Sequence, residues 1–420
     1  MRRMKTDPRS AAFVAALLSP GLLVSACSVP APEDTPAGSS ITAFEGARLI
    51  VGDGRVIESA TFTVDNGQFV AVGAASEMDV EESAARVDLA GMTVMPAIVD
   101  AHTHLSTTRE ALIEDLERRA SQGIAAALSM GMDAEGAPLE LRGETIAGVA
   151  RYRSAGRGIT SPEPGRNEAP HWVATEEEAR QAVRDELARD VDIIKIWVDD
   201  RNGQYEKLSP ELYHAVIDEA HQNGLQVAAH IFTLEDAKAV LLADIDIFAH
   251  GVRDQDIDDE FVELVRERPN VVLVPNMPDR GVPTDLGWLN GSMATEQFEK
   301  LEAANTERPE VREAFGIQAR NLARLSEEGM RIAFGTDGNT FWAAHVEMEN
   351  MVAAGMSPEQ VLISATRNAA DMMGLTDLGT VEAGKSADFI VLAANPLDNI
   401  TNTRRIVDVY LRGTAVDRTP

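Results

Sequence analysis

Hydrophobic and polar positions change rhythm twice along the chain. Between residues 41 and 95, short apolar runs are cut by turn residues. Ala47-Arg48-Leu49-Ile50-Val51 is followed by Gly52-Asp53-Gly54, and Thr61-Phe62-Thr63-Val64 by Asp65-Asn66-Gly67 and Phe69-Val70-Ala71-Val72. Asp-Asn-Gly between two strand-like runs predicts a β-hairpin. The same texture returns at the C-terminus in Ala387–Leu392 and Val407–Leu411. Between about 93 and 375, short apolar runs alternate with charged amphipathic stretches. Strands are predicted at Val94–His104, Ile124–Met130, Arg157–Thr160, Asp192–Val198, Gln226–Ile231, Ile245–His250, Val271–Asn276 and Arg331–Asp337. One intervening helix opens with Ser209-Pro210-Glu211, a cap and a first-turn proline, and closes at Asn223-Gly224. Apolar strands separated by helices imply a parallel sheet covered on its outer face. About eight such units over roughly 250–300 residues is the size of a (β/α)8 barrel. An open doubly wound sheet is the alternative, but no Gly-x-Gly-x-x-Gly follows a strand, which disfavours a dinucleotide fold. The predicted class is α/β: a TIM-like barrel over 96–375, with β structure at 41–95 and 376–420.

Composition narrows the partners. The chain has 420 residues, with 38 Lys and Arg against 68 Asp and Glu, a formal charge of −30. Nucleic acid is excluded as a partner, because phosphate binding needs basic patches, and electrostatic docking on anionic lipid is disfavoured. The extreme N-terminus differs. Arg2, Arg3, Lys5 and Arg9 precede a mostly apolar stretch, Ala11–Ala26, interrupted by Pro20-Gly21. It is too short and broken for a membrane span and fits a signal peptide over 1–26. Val24-Ser25-Ala26 precedes Cys27, the only cysteine. This looks like a lipoprotein cleavage site with Cys27 lipidated; a plain signal cut after Ala26 is the alternative. Residues 27–40 then form a flexible tether. The expected location is outside the cytoplasm, periplasmic or on the cell surface, with the membrane reached only through the lipid anchor.

Candidate chemistry gathers at strand ends. His102 and His104 are two apart on a strand and share a face. His230 ends one predicted strand, His250 another, and Asp337 a third. In a barrel these ends meet at one face, where active sites sit. Lys195 lies inside the apolar run Val191–Val198, which is costly for an ammonium. It is either a rim lysine reaching a carboxylate, or a lysine with lowered pKa that adds carbon dioxide and becomes an anionic carbamate ligand. With one cysteine, no cysteine-based metal cluster is available.

These residues resemble the amidohydrolase superfamily, in the branch near imidazolonepropionase that contains Xaa-Pro and Xaa-Arg dipeptidases. The matching segments are Met95–Leu105, Ile193–Ile196, Val227–His230, Phe248–Gly251 and Gly335-Thr336-Asp337, with Ala365–Ala370 and Gly379–Asp388 resembling the closing segment. The resemblance spans about residues 41–415. It implies a barrel flanked by a small β-sandwich from both chain ends. It implies one cation on His102, His104 and Asp337, a second on His230 and His250, and N6-carboxylated Lys195 bridging them. Zinc suits such ligands. The implied reaction is hydrolysis of an amide or peptide bond of a dipeptide or N-acyl amino acid, by a metal-bridging hydroxide with Asp337 as proton shuttle. Imidazolonepropionase itself lacks the bridging lysine, so Lys195 points to the dipeptidase-like relatives.

Other polar residues fall around this set. Tyr205, Arg253 and Asn276 follow predicted strands and are candidate substrate contacts; His345, after the last strand, either lines the site as a fourth such contact or is a structural histidine at a helix start. His214 and His221 share a helix face and are expected outside the barrel. The acidic stretch Asp254–Glu260 is expected to be a solvated face. Many relatives carry Gly-Gly-His after the third strand, where this chain reads Ile159–Gly165, so a relative's substrate does not transfer. Lactonase, esterase or phosphotriesterase chemistry on the same residues is the alternative activity. A non-catalytic surface-binding lipoprotein is the alternative class, and a homo-oligomer is left open.

Overall fold

The computed structural model describes residues 41–134 and 136–419. The predicted signal peptide, Cys27 and the tether lie outside the described residues.

Five strands come first: β1 (Thr42–Ile50), β2 (Val56–Asp65), β3 (Gln68–Ala74), β4 (Ala85–Asp88) and β5 (Thr93–Pro96). β2 and β3 form the expected hairpin. Asn66 at φ +47° and Gly67 at φ +79° take the left-handed conformations that a two-residue turn requires.

The alternating region follows. It runs β6 (Ile98–Thr103), α1 (Arg109–Ser121), β7 (Ile124–Ser129), α2 (Ala137–Leu141), β8 (Arg151–Ser154), β9 (Ile159–Thr160) and β10 (His171–Trp172). Next come α3 (Glu176–Ala188), β11 (Ile194–Trp197), α4 (Pro210–Gln222), β12 (Val227–His230), α5 (Leu234–Leu242), β13 (Ile247–Phe248), α6 (Asp259–Arg266) and β14 (Val272–Leu273). It ends with α7 (Thr295–Ala304), α8 (Arg312–Glu327), β15 (Arg331–Ile332), α9 (Ala343–Ala353), α10 (Pro358–Ile363) and α11 (Ala369–Met372). β6, β7 and β8 form a parallel three-stranded sheet, and a seven-stranded parallel sheet runs β10-β9-β11-β12-β13-β14-β15. Backbone bonds link the two sheets: Ala101 N donates to Phe334 O at 2.8 Å, and Asp192 N to Ser154 O at 2.9 Å.

The predicted strands Ile245–His250, Val271–Asn276 and Arg331–Asp337 shorten to two residues each, and two others are broken by contacts from elsewhere in the chain. Val94–His104 is two strands, because Ala97 N turns aside to bond Asp388 O at 3.0 Å. Arg157–Thr160 shrinks to β9, preceded by β8. Between them Gly158 packs on Trp197, and a Cβ there would sit 1.8 Å from the indole ring.

The helices cover this sheet as their patterns dictate. α4 starts after Ser209 with Pro210 in its first turn and buries Leu212, Tyr213, Val216, Ile217 and Ala220. Against them lie the strand residues Ile194, Ile196, Val227, Ala228 and Ala229 in one continuous core. The acidic stretch does more than meet solvent: Asp258 caps α6 by accepting from Phe261 N, and Asp254 accepts from Leu234 N at 2.9 Å.

The chain closes with β16 (Phe389–Leu392), β17 (Ile406–Leu411) and β18 (Thr414–Ala415). β5 and β16 pair antiparallel, Pro96 opposite Phe389, so both chain ends share one eight-stranded sheet. Its core is aromatic: Phe44 stacks on Phe62 at 5.0 Å and Phe389 on Tyr410 at 4.6 Å. Such pairs add about 0.5–1.5 kcal/mol beyond area burial. Among the described residues, no helix is long and apolar enough to cross a membrane.

Candidate metal centre

The polar residues singled out at strand ends come together. His102 lies in β6 and His104 just past it; Lys195 is in β11; His230 ends β12; His250 and Asp337 follow β13 and β15. Asp337 stands at the middle: Oδ1 is 3.2 Å from His102 Nε2 and 3.1 Å from His104 Nε2, and Oδ2 is 3.8 Å from His250 Nδ1. The His230 and His250 rings are 4.5 Å apart, those of His102 and His250 5.0 Å. Donor atoms of His102, His250 and Asp337 all lie within 4.8 Å of one another, a spacing that one cation can span. The parallel register sets Lys195 opposite Ala228 and Trp197 opposite His230.

Local backbone holds this geometry. Asp337 has φ +51°, an uncommon conformation for a residue with a Cβ. Its loop is tied down where Asp337 N donates to His102 O at 2.8 Å and Thr336 donates to Asp100 through both N–H and hydroxyl. Gly335 lets this loop approach β6, since a Cβ there would lie 2.7 Å from that of His102. His102 Nδ1 donates to Ala249 O at 3.1 Å, which leaves the lone pair of Nε2 facing Asp337 and available to a cation. Asn276, also at positive φ, donates to the same carbonyl at 2.6 Å and lies 2.8 Å from His102 Nδ1. It therefore braces a ring of the cluster.

Asp199 also belongs to the centre, though no motif at a strand end marks it. Its Oδ2 is 3.1 Å from His230 Nε2 and accepts from Arg201 Nη1 at 2.6 Å; Arg201 in turn donates from Nε to buried Glu163 at 3.0 Å. This leaves His230 Nδ1 as the nitrogen available to a cation. A clue was present: Lys195, Trp197 and Asp199 alternate on one strand face. Glu163 follows β9.

Electrostatics favour neutral imidazoles. Burial lowers His102 to about 4 against the pull of Asp337, and lowers His230 to about 3 against Asp199. Burial also takes His250 well below its usual value, helped by Arg253. Burial alone would raise Asp337, but His102, His104 and His250 outweigh it and hold the carboxyl far below its usual range. Burial brings Lys195 down to about 7, with Asp337 opposing and Arg253 and Arg201 assisting. Neutral histidine, ionised carboxylate and an amine that can shed its proton form a metal-ligating set. His102 Nε2, His104 Nδ1 and Lys195 Nζ are also buried without a hydrogen-bond partner. Each such atom costs about 1–3 kcal/mol, so the donor set fits cations that would satisfy it.

The remaining candidates divide. Tyr205 is half-buried and its hydroxyl donates to Pro164 O at 3.4 Å. Of the two readings of His345, the contacts fit the structural one and not the one that lines the site: its Nδ1 meets Thr403 Oγ1 at 3.1 Å and its Nε2 meets Gln122 O at 3.2 Å. It is a buried tie between α9, the end of α1 and the C-terminal segment. His221 pairs with Asp246 at 2.8 Å, and His214 is exposed, both away from the cluster.

Parallel strands bring histidines and a carboxylate together past their C-terminal ends, with a buried lysine beside them, in an α/β protein whose His102, His250 and Asp337 could hold a metal ion. A family profile matches residues 93–416, and the chain belongs to the amidohydrolase family. It is 28% identical over 257 residues to ochratoxinase of Aspergillus niger, covering 58% of this chain and 50% of that one. It is 25% identical over 393 residues to imidazolonepropionase of Deinococcus radiodurans, covering 86% and 93%. Among solved structures, a putative prolidase from Bifidobacterium longum superposes with TM-score 0.73 at 28% identity, covering 90% of this chain and 95% of that one. Family membership supports a hydrolase acting on carbon–nitrogen bonds.

Proposed function

We propose that this chain is a metal-dependent hydrolase that cleaves the amide bond of a small substrate, a dipeptide or an N-acyl amino acid. The observation that carries this reading is the convergence of His102, His104 and His250 on Asp337, with His230 packed against His250, beside a buried lysine without a hydrogen-bond partner. We read the parallel strands as a closed (β/α)8 barrel, supported by the bonds from Ala101 N to Phe334 O and from Thr336 N to His102 O. The eight-stranded sheet is then the small β-sandwich.

His102, His104 and Asp337 would hold one divalent cation, zinc by ligand type, and His230 and His250 a second. Lys195, whose amine sheds its proton easily, would add carbon dioxide at Nζ, a C–N bond forming as a proton leaves, and the carbamate would supply anionic oxygen ligands to the cations. When bound, the cations supply a charge that acidifies water and polarises a carbonyl. Asp337 accepts the proton of the attacking water at its carboxylate and delivers it to the amide nitrogen, a poor leaving group until protonated. Asn276 and Asp199 keep the His102 and His230 rings turned to the task. The N-terminal leader with Cys27 would place the enzyme outside the cytoplasm on a lipid anchor.

The test is metal content by elemental analysis, with turnover on dipeptides, N-acyl amino acids and lactones before and after chelation. Two cations per chain and chelator-sensitive amide hydrolysis are expected. A chain that binds no cation under any loading, or full turnover without metal, overturns the reading.

A further inference from the structure

Arg253 is a half-buried cation at the centre that no hydrogen-bond acceptor among the described residues answers. It leaves β13 just after His250, and its backbone N–H donates to Phe232 O at 2.9 Å, tying it to the segment past His230. Its Nε is buried without a hydrogen-bond partner. Among the described residues, its guanidinium enters no ion pair, whereas Arg201 beside it donates to both Glu163 and Asp199. The two carboxylates whose charge reaches Arg253 are Asp337 and Asp199. Both are engaged elsewhere, Asp337 with its histidines and Asp199 with His230 and Arg201. Charge from Arg253 is in turn felt by Lys195, His230 and His250, which places it at the cluster and not on a remote rim.

A guanidinium cannot escape burial by losing its proton, so it needs an anion. Its planar fork matches a carboxylate through two parallel N–H···O bonds. The surroundings sharpen the point, since a chain of formal charge −30 repels anionic substrates at long range. An unpaired guanidinium at the site restores attraction where such a substrate must bind.

We infer that Arg253 receives a free carboxylate of the substrate, so that the enzyme acts on amides bearing an acid group near the scissile bond in preference to neutral amides. This rests on the hydrolase reading above and narrows its substrate class. Arg201, already paired, instead braces Asp199 and Glu163.

The test uses the zinc-loaded chain and a matched pair: an N-acyl amino acid that is hydrolysed, and the same compound with its acid converted to a carboxamide. The wild type should favour the acid. In Arg253→Gln the ratio of kcat/KM for acid over carboxamide should fall about 10–100-fold, the worth of a charge-assisted hydrogen bond. Most of the fall should lie in KM for the acid, and Arg253→Lys should recover part of the ratio. Cation content and thermal melting of each variant establish that the centre is intact. Should Arg253→Gln not fold, Arg253→Lys carries the same comparison with a smaller expected change. A ratio that no substitution moves, or a wild type indifferent to the acid, overturns the inference while leaving the hydrolase standing. Failure of the loaded wild type on every amide overturns the hydrolase reading instead.

Discussion

Arg119 and Lys195 are both fully buried basic residues, and they sit in opposite kinds of surroundings. Arg119 donates to Asp100 Oδ2 at 2.8 Å and to Gly338 O at 2.7 Å, while Asp100 also accepts from Thr336. That network straps α1, β6 and the loop carrying Asp337 together. Lys195 has no hydrogen bond at Nζ and only the face of Trp197 at 5.6 Å. A buried charge with partners is structure; a buried amine without them is held ready for something the chain does not supply. The cost of leaving Lys195 unpaired is tolerable only where binding later offsets it.

The contrast can be broken in order of expected effect. Asp337→Asn, on the reactive side, keeps the shape and one oxygen donor but cannot carry the proton. Turnover of an amide should fall about 10²–10⁴-fold with bound metal largely retained. An activated ester with the same acyl part should lose less, since its alkoxide leaves unprotonated. Equal losses on both substrates would count against the shuttle. Arg119→Met, on the structural side, strands Asp100 without a counter-charge. Denaturant unfolding of the metal-free protein should show about 3–5 kcal/mol lost; a loss below 1 kcal/mol would mean that the strap is ornamental.

Lys195→Met should behave in the reverse way. Bound cation should drop, short-chain carboxylic acids should restore part of it, and the metal-free protein should be no less stable than the wild type. Its pH profile is a further check. Lys195 titrates near 7 when folded against 10.5 in its ordinary state, so the folded chain binds fewer protons between these values. Stability of the metal-free wild type should therefore gain from this residue as pH rises from about 7 toward 10.5, and the variant should lose that gain.

The smallest effect belongs to Glu347 on α9, which accepts from Met277 N at 2.8 Å. Burial raises its carboxyl to about 8 from 4.5. Here the folded state holds the extra proton, so its contribution to stability falls as pH rises from about 4.5 to 8. Glu347→Gln keeps the acceptor and should flatten that slope with little change at pH 5. A variant that steepened the slope would show Glu347 ionised in the fold.

The sequence alone was enough for the alternating strands and helices, the hairpin at Asn66-Gly67, the limits of α4 and the choice of the six polar residues that the fold gathers in the candidate centre. Each of these is written in local terms: period, cap, turn residue, or a titratable side chain at the end of an apolar run. Tertiary structure decided the rest. It split Val94–His104 where Ala97 meets Asp388 from the far end of the chain, and it interrupted the third strand where Gly158 packs on Trp197. It sent His345 to Gln122 and Thr403, turned Asn276 into a brace for His102, brought Asp199 to His230 and left Arg253 unanswered. The physical reason is common to all of them. A hydrogen bond or ion pair is a property of two groups, and for these residues the second group lies tens to hundreds of positions away, or is missing from the chain altogether. Period and composition can place a side chain on a face, but only packing decides what, if anything, stands opposite it.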